Sequence, residues 1–555
     1  MGQDLLDNLI DQTVVDYCKR KGVDVPESFG FEIIVTRDPS HGDFASNVAF
    51  KLAKLVHEKP ALIADELVLI MEEGKALPKA EAIDRFQVAG GGFINFYMAK
   101  GSVAEVLLEV IRKGKEFGKS DFGKGVKVLL EFVSANPTGP LTIAHGRQAA
   151  IGDSLARILC KSGHEVITEY YLNDGGRQMG LLGASLWARY GQELGMDKAL
   201  PEDGYQGAYL VDLAKKLIAE KNDSLLKETE EKAVEVCRVY AMEAMMADIR
   251  ADLKTMRVSF DSYYSEQTLY KKGHVTKALD YLSEKKQLFE EDGALWFRST
   301  DYGDDKDRVV RKSSGDFTYL APDIAYHRQK FERGCNRLIN LWGPDHHGYI
   351  ARLKAACQAL GYDASQVEIR IVQLTTLYRK GEPVRMSTRA GEFVTLRELY
   401  EEVGVDATRF FFIMRRVESH LDFDLDLARQ KSQDNPVYYL QYAHARISGI
   451  LRNAEQPVPA KADLKLLSSE EETNLIKVIS EYPKAVVSAS EFMEPYRVAD
   501  YLRDLAVKFH KFYSLHRVLG DDPEVTKARL LLSEATRIVL KGGLEVLGIS
   551  QPESM

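Results

Sequence analysis

Apolar residues recur along this chain with two periods, and the switches between them mark its organisation. Val126 to Val133 is mostly apolar, leucine or β-branched, as expected of a strand covered on both faces. Pro137, Gly139 and Pro140 then forbid regular structure. After His145 the apolar residues Ile151, Leu155, Ile158 and Leu159 recur at helix spacing, and Gly163 is placed to stop that helix. A second strand-like run, Glu165 to Leu172, completes a βαβ unit. Its loop falls at the carboxyl end of the first strand, where open α/β sheets bind ligands. The same grammar returns later. Arg337 to Trp342 reads as a strand, GPDHHG (343–348) as its loop, and Leu353, Ala356, Cys357 and Leu360 as one face of a helix stopped by Gly361. Val367 to Leu374 is the closing strand. The predicted core is therefore α/β, with a Rossmann-like parallel sheet over about 116–425.

The flanks differ. Residues 1–115 open with a helical pattern at Leu5, Leu6, Ile10 and Val14. A strand at Phe31 to Thr36 follows, then a turn running into a helix (HGDFASNVAFKLAK) and two strand pieces around a glycine turn, Phe86 to Met98. This predicts a small α+β domain, with Lys113 to Lys127 as linker. Between the two βαβ units, about 181–300, dense charge and Leu/Ala/Met at helix spacing predict a helical insertion with solvated faces and no evident chemistry. The segment 426–555 reads as an all-α helical bundle.

Composition narrows the class. The 555 residues carry a net charge of -9, so the chain lacks the global basic footprint of a non-specific nucleic-acid binder. The five cysteines are scattered, with no CxxC pair or Cys/His cluster, so neither zinc nor a disulfide framework is expected. No apolar run approaches the ~20 residues needed to span a bilayer, and MGQDLLDNLI is acidic and amphipathic, unlike a secretory leader. No membrane association is expected, and the expected compartment is the cytoplasm.

Candidate chemistry concentrates in the loops. His145 stands at a helix start, where free N–H groups and the helix dipole favour an anion. An imidazole there can donate to a phosphate oxygen, or it can simply cap the helix. Tyr319 and Asp323 lie four apart, on one face if their segment is helical. His346 and His347 lack a third metal ligand at suitable spacing, so a ribose or amino-group contact is favoured and no metal site is assigned. Lys380 to Leu396 is basic and glycine-bearing. It reads either as a solvated surface loop or as a cationic flap whose Arg385 and Arg389 offer forked donors to a polyphosphate. Tyr438, Tyr439, Tyr442, His444 and Arg446 form a tight array that is either core or a platform for unpaired bases.

The loop SANPTGPL…HGR resembles the HIGH-type ATP loop of class I aminoacyl-tRNA synthetases in its arginyl version. Thr142 stands where the first histidine is usual and Ala144 where glycine is usual. RMSTRAG resembles the KMSKS loop, with Thr388 in place of the usual lysine. HGDFASNVA and GGFINF are similar to the family's tRNA-contacting N-terminal domain, and the C-terminal bundle to its anticodon-binding domain. The resemblance implies ATP, magnesium with ATP, L-arginine and tRNA(Arg) as partners, and a monomer. It implies that His145, Arg385, Ser387 and Arg389 stabilise the phosphates. Gly139, Thr142, Gly146, Gly343, Asp345 and Met386 would border ATP. Glu131, Ser134, Asn136, Tyr319, Asp323, His346 and His347 would hold arginine, and Tyr438, Tyr442, His444 and Arg446 would contact tRNA. The alternative for Glu131 and Asp323 is an internal salt bridge, for example to Arg147. Two rival classes remain: a small-molecule nucleotidyltransferase of the HxGH type, which leaves both flanking domains idle, and an inactive tRNA-binding relative, suggested by Thr142, Ala144 and Thr388.

Overall fold

The computed structural model describes residues 2–25, 29–36, 38–73, 82–99, 101–384, 394–454 and 456–555. At its centre is a five-stranded parallel sheet. Its strands are β1 (Lys127–Glu131), β2 (Glu165–Leu172), β3 (Ser262–Ser265), β4 (Arg337–Trp342) and β5 (Val367–Ile371), in spatial order β5-β4-β1-β2-β3. Register is continuous across the middle: Leu129 lies opposite both Leu338 and Ile167. Val128, Leu129 and Leu130 of β1 are fully buried, as a central parallel strand demands.

The chain leaves β1 toward β2 and β3, then crosses back to β4 and β5. That reversal opens a crevice between the carboxyl ends of β1 and β4, the place where such sheets take ligands. Helix α1 (Ile143–Lys161) crosses from β1 to β2. It packs tightly because two glycines allow it: a Cβ on Gly152 would lie 2.3 Å from the Phe132 ring, and one on Gly146 would lie 2.5 Å from Leu396 Cδ1.

The insertion is only partly helical. Helices α2 (Gly176–Glu193), α3 (Tyr209–Lys221) and α4 (Glu230–Thr255) build their own core around Leu182, Leu186, Trp187, Leu213 and Cys237. The remainder corrects the expectation. Ser262–Ser265 pairs with β2 as an edge strand of the main sheet, and 288–311 contains a three-stranded antiparallel sheet. SYYS, half-buried throughout, has no alternation to announce a strand; its pairing comes from the neighbour.

The N-terminal unit is a four-stranded antiparallel sheet with helices, and its core runs from Leu6 to Met98. The helix Glu105–Lys113 instead buries Leu107 and Val110 in the large core shared with the C-terminal bundle. Among the described residues no helix is long and apolar enough to cross a membrane.

Buried guanidinium groups tie the sheet domain together and, through Arg409, to the bundle. Arg409, on the helix Val405–Ile413, meets Asp153 of α1 at 2.5 Å and donates to the carbonyls of Met256 (2.6 Å) and Leu547 (3.1 Å). Arg147 of α1 donates to Gln373 O (2.7 Å) and Ser419 O (2.9 Å). Arg147 is therefore a backbone clamp and forms no bridge to Glu131.

Candidate active site

The crevice is walled by the segment after β1. Val133 and Ser134 adopt φ values of +67° and +40°. For a buried β-branched residue this is strained backbone, on the order of 1–2 kcal/mol. Local bonds hold it. The Ser134 N–H donates to Phe132 O at 2.9 Å. Its hydroxyl donates to Glu131 Oε1 at 3.0 Å and accepts from the Tyr171 N–H at 3.0 Å. Asn136, three residues after this kink, donates to Gln178 Oε1 of α2 at 2.6 Å.

His145 sits on the third residue of α1, and Thr142 is the N-cap. The Thr142 N–H donates to His145 Nδ1 at 3.2 Å. An Nδ1 that accepts leaves the proton of a neutral ring on Nε2. Burial lowers the His145 pKa to about 4, against a raising effect of Asp345. The ring is thus uncharged at neutral pH and carries one N–H to give. Capping and phosphate recognition, posed as alternatives, are compatible here because they use different nitrogens. The Gly146 N–H is taken by Thr142 O at 3.0 Å, and its Cα packs against Leu396 and Phe412.

Across the crevice lies an acidic pocket. Helix α5 (Glu266–Lys271) follows β3, and α6 (Leu320–Glu332) carries Asp323 in its first turn. Asp323 accepts from the Tyr349 hydroxyl at 2.7 Å. Burial pushes its carboxyl up to about 7; Tyr349 opposes this, while Glu131 and Glu266 add to it. Burial likewise raises Glu266. Neither Asp323 nor Glu266 forms a salt bridge with a described lysine or arginine. The Tyr171 hydroxyl, buried beside them, has no hydrogen-bond partner that meets ordinary geometry. Uncompensated carboxylates and an orphaned hydroxyl in one half-buried place are the signature of a site for a cation with N–H donors.

Glu131 is different. Its Oε2 meets Lys330 Nζ at 2.5 Å, with both side chains buried, and Ser134 takes Oε1. Here the internal salt bridge is what forms, with Lys330 in place of Arg147. Glu131 and Ser134 thus stand at the inner wall of the pocket, held to one another and to Lys330. Tyr319 is 77% exposed at the N-terminus of α6, at the pocket's mouth. Sequence reading missed Glu266 and Tyr349 because neither belongs to a motif; both come from segments far from β1.

The loop after β4 lies beside the β1 loop. Asp345, His346 and His347 are exposed, with His346 Nε2 3.5 Å from Asp345 and its ring 5.8 Å from that of Trp342. Gly343 is half-buried, and so is Gly139 after β1. No cluster of three or more potential metal ligands occurs among the described residues. Arg385, Met386, Ser387 and Arg389 lie outside the described residues. The described chain resumes at the crevice: Thr395 bridges to Thr142, and the Leu396 N–H donates to Leu141 O at 2.8 Å.

Comparison with known proteins agrees along the chain. Residues 106–415 match the catalytic domain of class I tRNA synthetases of the arginine type, "tRNA synthetases class I (R)". The protein is 46% identical to arginine–tRNA ligase 1 of Halalkalibacterium halodurans, over 98% of each chain. The chain belongs to the arginyl-tRNA synthetases, class I arginine–tRNA ligases. The ligase of Bacillus cereus is 47% identical over 94% of this chain and 93% of its own. Residues 5–98 match the arginyl-tRNA synthetase N-terminal domain and 440–555 the DALR anticodon-binding domain. The Thermus thermophilus arginyl-tRNA synthetase shares the fold, with a TM-score of 0.77 at 24% identity over the whole of both chains.

The aromatic array predicted in the last segment lies on the helix Pro436–Asn453. Tyr438 and Tyr442 are stacked, with centroids 6.2 Å apart, and Arg446 lies over Tyr442 at 4.5 Å and Tyr513 at 4.8 Å. His510 and Tyr513 of Tyr496–Leu515 complete the surface. His444 differs from its neighbours: it is 1% exposed, and its Nδ1 lies 2.9 Å from Pro552 O inside the bundle.

Proposed function

We propose that this chain charges tRNA(Arg) with L-arginine in two steps. The arginine carboxylate attacks the α-phosphate of ATP, forming the P–O bond of arginyl-adenylate and releasing pyrophosphate. A hydroxyl of the terminal tRNA adenosine, the 2′-hydroxyl for this class, then attacks the activated carbonyl and releases AMP. One observation carries the reading: Asp323 and Glu266 form no salt bridge with any described lysine or arginine, beside the loop that presents His145. A planar guanidinium suits paired carboxylates, which it can bind in fork geometry.

Phosphoryl-type chemistry needs placement and charge stabilisation rather than a covalent nucleophile. His145 donates its Nε2 proton to the α-phosphate as a neutral group. Magnesium enters with ATP as part of that substrate. Gly139, Thr142, Gly343 and Asp345 border the nucleotide, with Met386. Arg385, Ser387 and Arg389 hold the leaving pyrophosphate. Asp323 and Glu131, with Glu266 beside them, bind the guanidinium, and Tyr319 covers it from the mouth. Asn136 with Ser134, helped by His346 or His347, holds the amino-acid end. Tyr438, Tyr442 and Arg446 stack on unpaired tRNA bases. The enzyme acts as a cytoplasmic monomer.

Arginine-dependent exchange of pyrophosphate into ATP, with and without tRNA, tests this. Exchange that requires both arginine and tRNA is expected. No exchange under either condition indicates an inactive relative, and exchange with an unrelated acid and no RNA indicates a nucleotidyltransferase; either result refutes the proposal.

A further inference from the structure

The insertion has no part in the chemistry above, yet two of its helices grip the loop after β1. That loop, Ala135 to Pro140, is poorly equipped to hold itself. Pro137 and Pro140 have no N–H to donate, and the Thr138 N–H turns straight back to Asn136 O at 2.7 Å. Side chains from outside hold the loop instead. The Tyr170 hydroxyl of β2 donates to Ala135 O at 2.6 Å. Gln178, in the first turn of α2, accepts from Asn136 Nδ2 at 2.6 Å. The Tyr209 hydroxyl, on the first residue of α3, donates to Thr138 O at 2.5 Å. A Cβ on Gly139 would lie 3.5 Å from that hydroxyl, so the phenol also rests against the loop's glycine.

The lobe that presents Tyr209 is well braced. Its three helices share a core of their own, and the connection from α2 to α3 is tied back onto α2. Arg177 pairs with Asp203, and the Tyr205 N–H donates to Ser185 Oγ at 3.0 Å. Arg189 donates to Gln206 O at 3.2 Å and Gln192 to Lys198 O at 2.6 Å. Gly207 makes room for the phenol: a Cβ there would lie 2.3 Å from Tyr209 Cε1 and 2.6 Å from Cδ1. Burial raises the Tyr209 hydroxyl above the usual tyrosine range, so it keeps the proton it donates.

Resting on the reading above that Asn136 and Gly139 border arginine and ATP, we propose that Tyr209 is a positioning residue for the activation step. Through Thr138 O the insertion sets the loop that both substrates share. Thr138 stands between Asn136 and Gly139 in the chain, so a displaced Thr138 carbonyl carries both neighbours with it. The hydroxyl of Tyr209 is committed to that carbonyl and acts on the substrates only through the loop. Its loss therefore moves the arginine and ATP constants together, whereas loss of a group that touches one substrate moves one of them. Releasing one hydrogen bond of this kind shifts an equilibrium by about three- to tenfold.

The test is Tyr209→Phe in the full chain, which removes the hydroxyl and keeps the ring. In tRNA-supported pyrophosphate exchange, kcat/KM for arginine and kcat/KM for ATP should fall together, each by about three- to tenfold. The affinity for tRNA in filter binding should stay at the wild-type value, and the melting temperature should stay within about two degrees of it. If Tyr209→Phe does not fold, Gly207→Ala takes its place, since the added methyl displaces the ring and leaves the hydroxyl in the chain; the same paired loss is expected. Both constants within about twofold of wild type would overturn the proposal, because the bond would then be too weak to place the loop. A loss confined to one substrate would overturn it as well, and so would a loss matched by an equal fall in tRNA affinity, which marks a role in folding the lobe. Absence of arginine-dependent exchange in the wild type would instead sink the functional reading itself.

Discussion

Replacing Asp323 with asparagine removes one negative charge from the acidic pocket and little else. The amide has the same shape, and its oxygen can still accept the 2.7 Å hydrogen bond from Tyr349. In the empty enzyme the ionised carboxylate is a burden, because burial, with Glu131 and Glu266 nearby, moves it from 3.8 to about 7. Three pH units at about 1.36 kcal/mol each set a ceiling of about 4 kcal/mol, and water in an open crevice reduces this to on the order of 1–2 kcal/mol. The sign follows from proton binding. The folded state holds this proton more tightly than the unfolded chain, so stability falls as pH rises from about 4 to about 7 and is level above. Asp323→Asn should therefore melt about one or two degrees above wild type at pH 8 and together with it at pH 4. Substrate binding should respond in the opposite sense. Losing one carboxylate of a desolvated charge pair costs about 3 kcal/mol, or roughly a hundredfold in kcat/KM for arginine. The KM for ATP should stay within about twofold, since the change leaves the His145 side of the crevice intact. Steady-state exchange at varied arginine and at varied ATP, with melting at the two pH values, makes the comparison. An unchanged KM for arginine, or a lower melting point at pH 8, would refute the argument that Asp323 is kept unpaired for the substrate.

Three further outcomes follow from the geometry. His145→Asn should slow exchange by about 10²-fold, the size of losing one preorganised donor, while the limb near pH 7 persists because His145, lowered to about 4, does not create it; a pH profile decides this. Gly146→Ala should destabilise the protein by about 1–3 kcal/mol, as its Cβ would lie 2.5 Å from Leu396 Cδ1 and 3.1 Å from Phe412 Cε2, and denaturant unfolding measures it. Tyr442→Ala should weaken tRNA binding by about 1–3 kcal/mol, whereas His444→Ala should lower the melting temperature and leave tRNA affinity unchanged; filter binding at fixed salt separates the two.

Much of this protein could be read from local patterns alone. The strands Glu165–Leu172 and Arg337–Trp342 have in the structure the bounds that their apolar runs predicted, and Gly163 and Gly361 follow their helices with φ values of +98° and +92°. Burial on both faces writes a strand into the sequence as a continuous apolar run, and a helix end writes itself as glycine. The loops after β1 and β4 were legible for a similar reason, since a crevice at the sheet's switch point has to be lined by the residues that follow those two strands.

Tertiary structure decided how charges were paired. Glu131 and Asp323 are both carboxylates near strand or helix ends, and nothing local distinguishes them. Lys330, 199 residues from Glu131 along the chain, pairs with one, while among the described residues no lysine or arginine forms a salt bridge with the other. Glu266 comes beside Asp323 because SYYS pairs with β2, and His444 is buried because Pro552 folds back onto it. Periodicity records whether a position faces solvent or core, because that is a property of one segment. Which cation meets which anion depends on segments that are distant in sequence, and so it is written only in the folded chain.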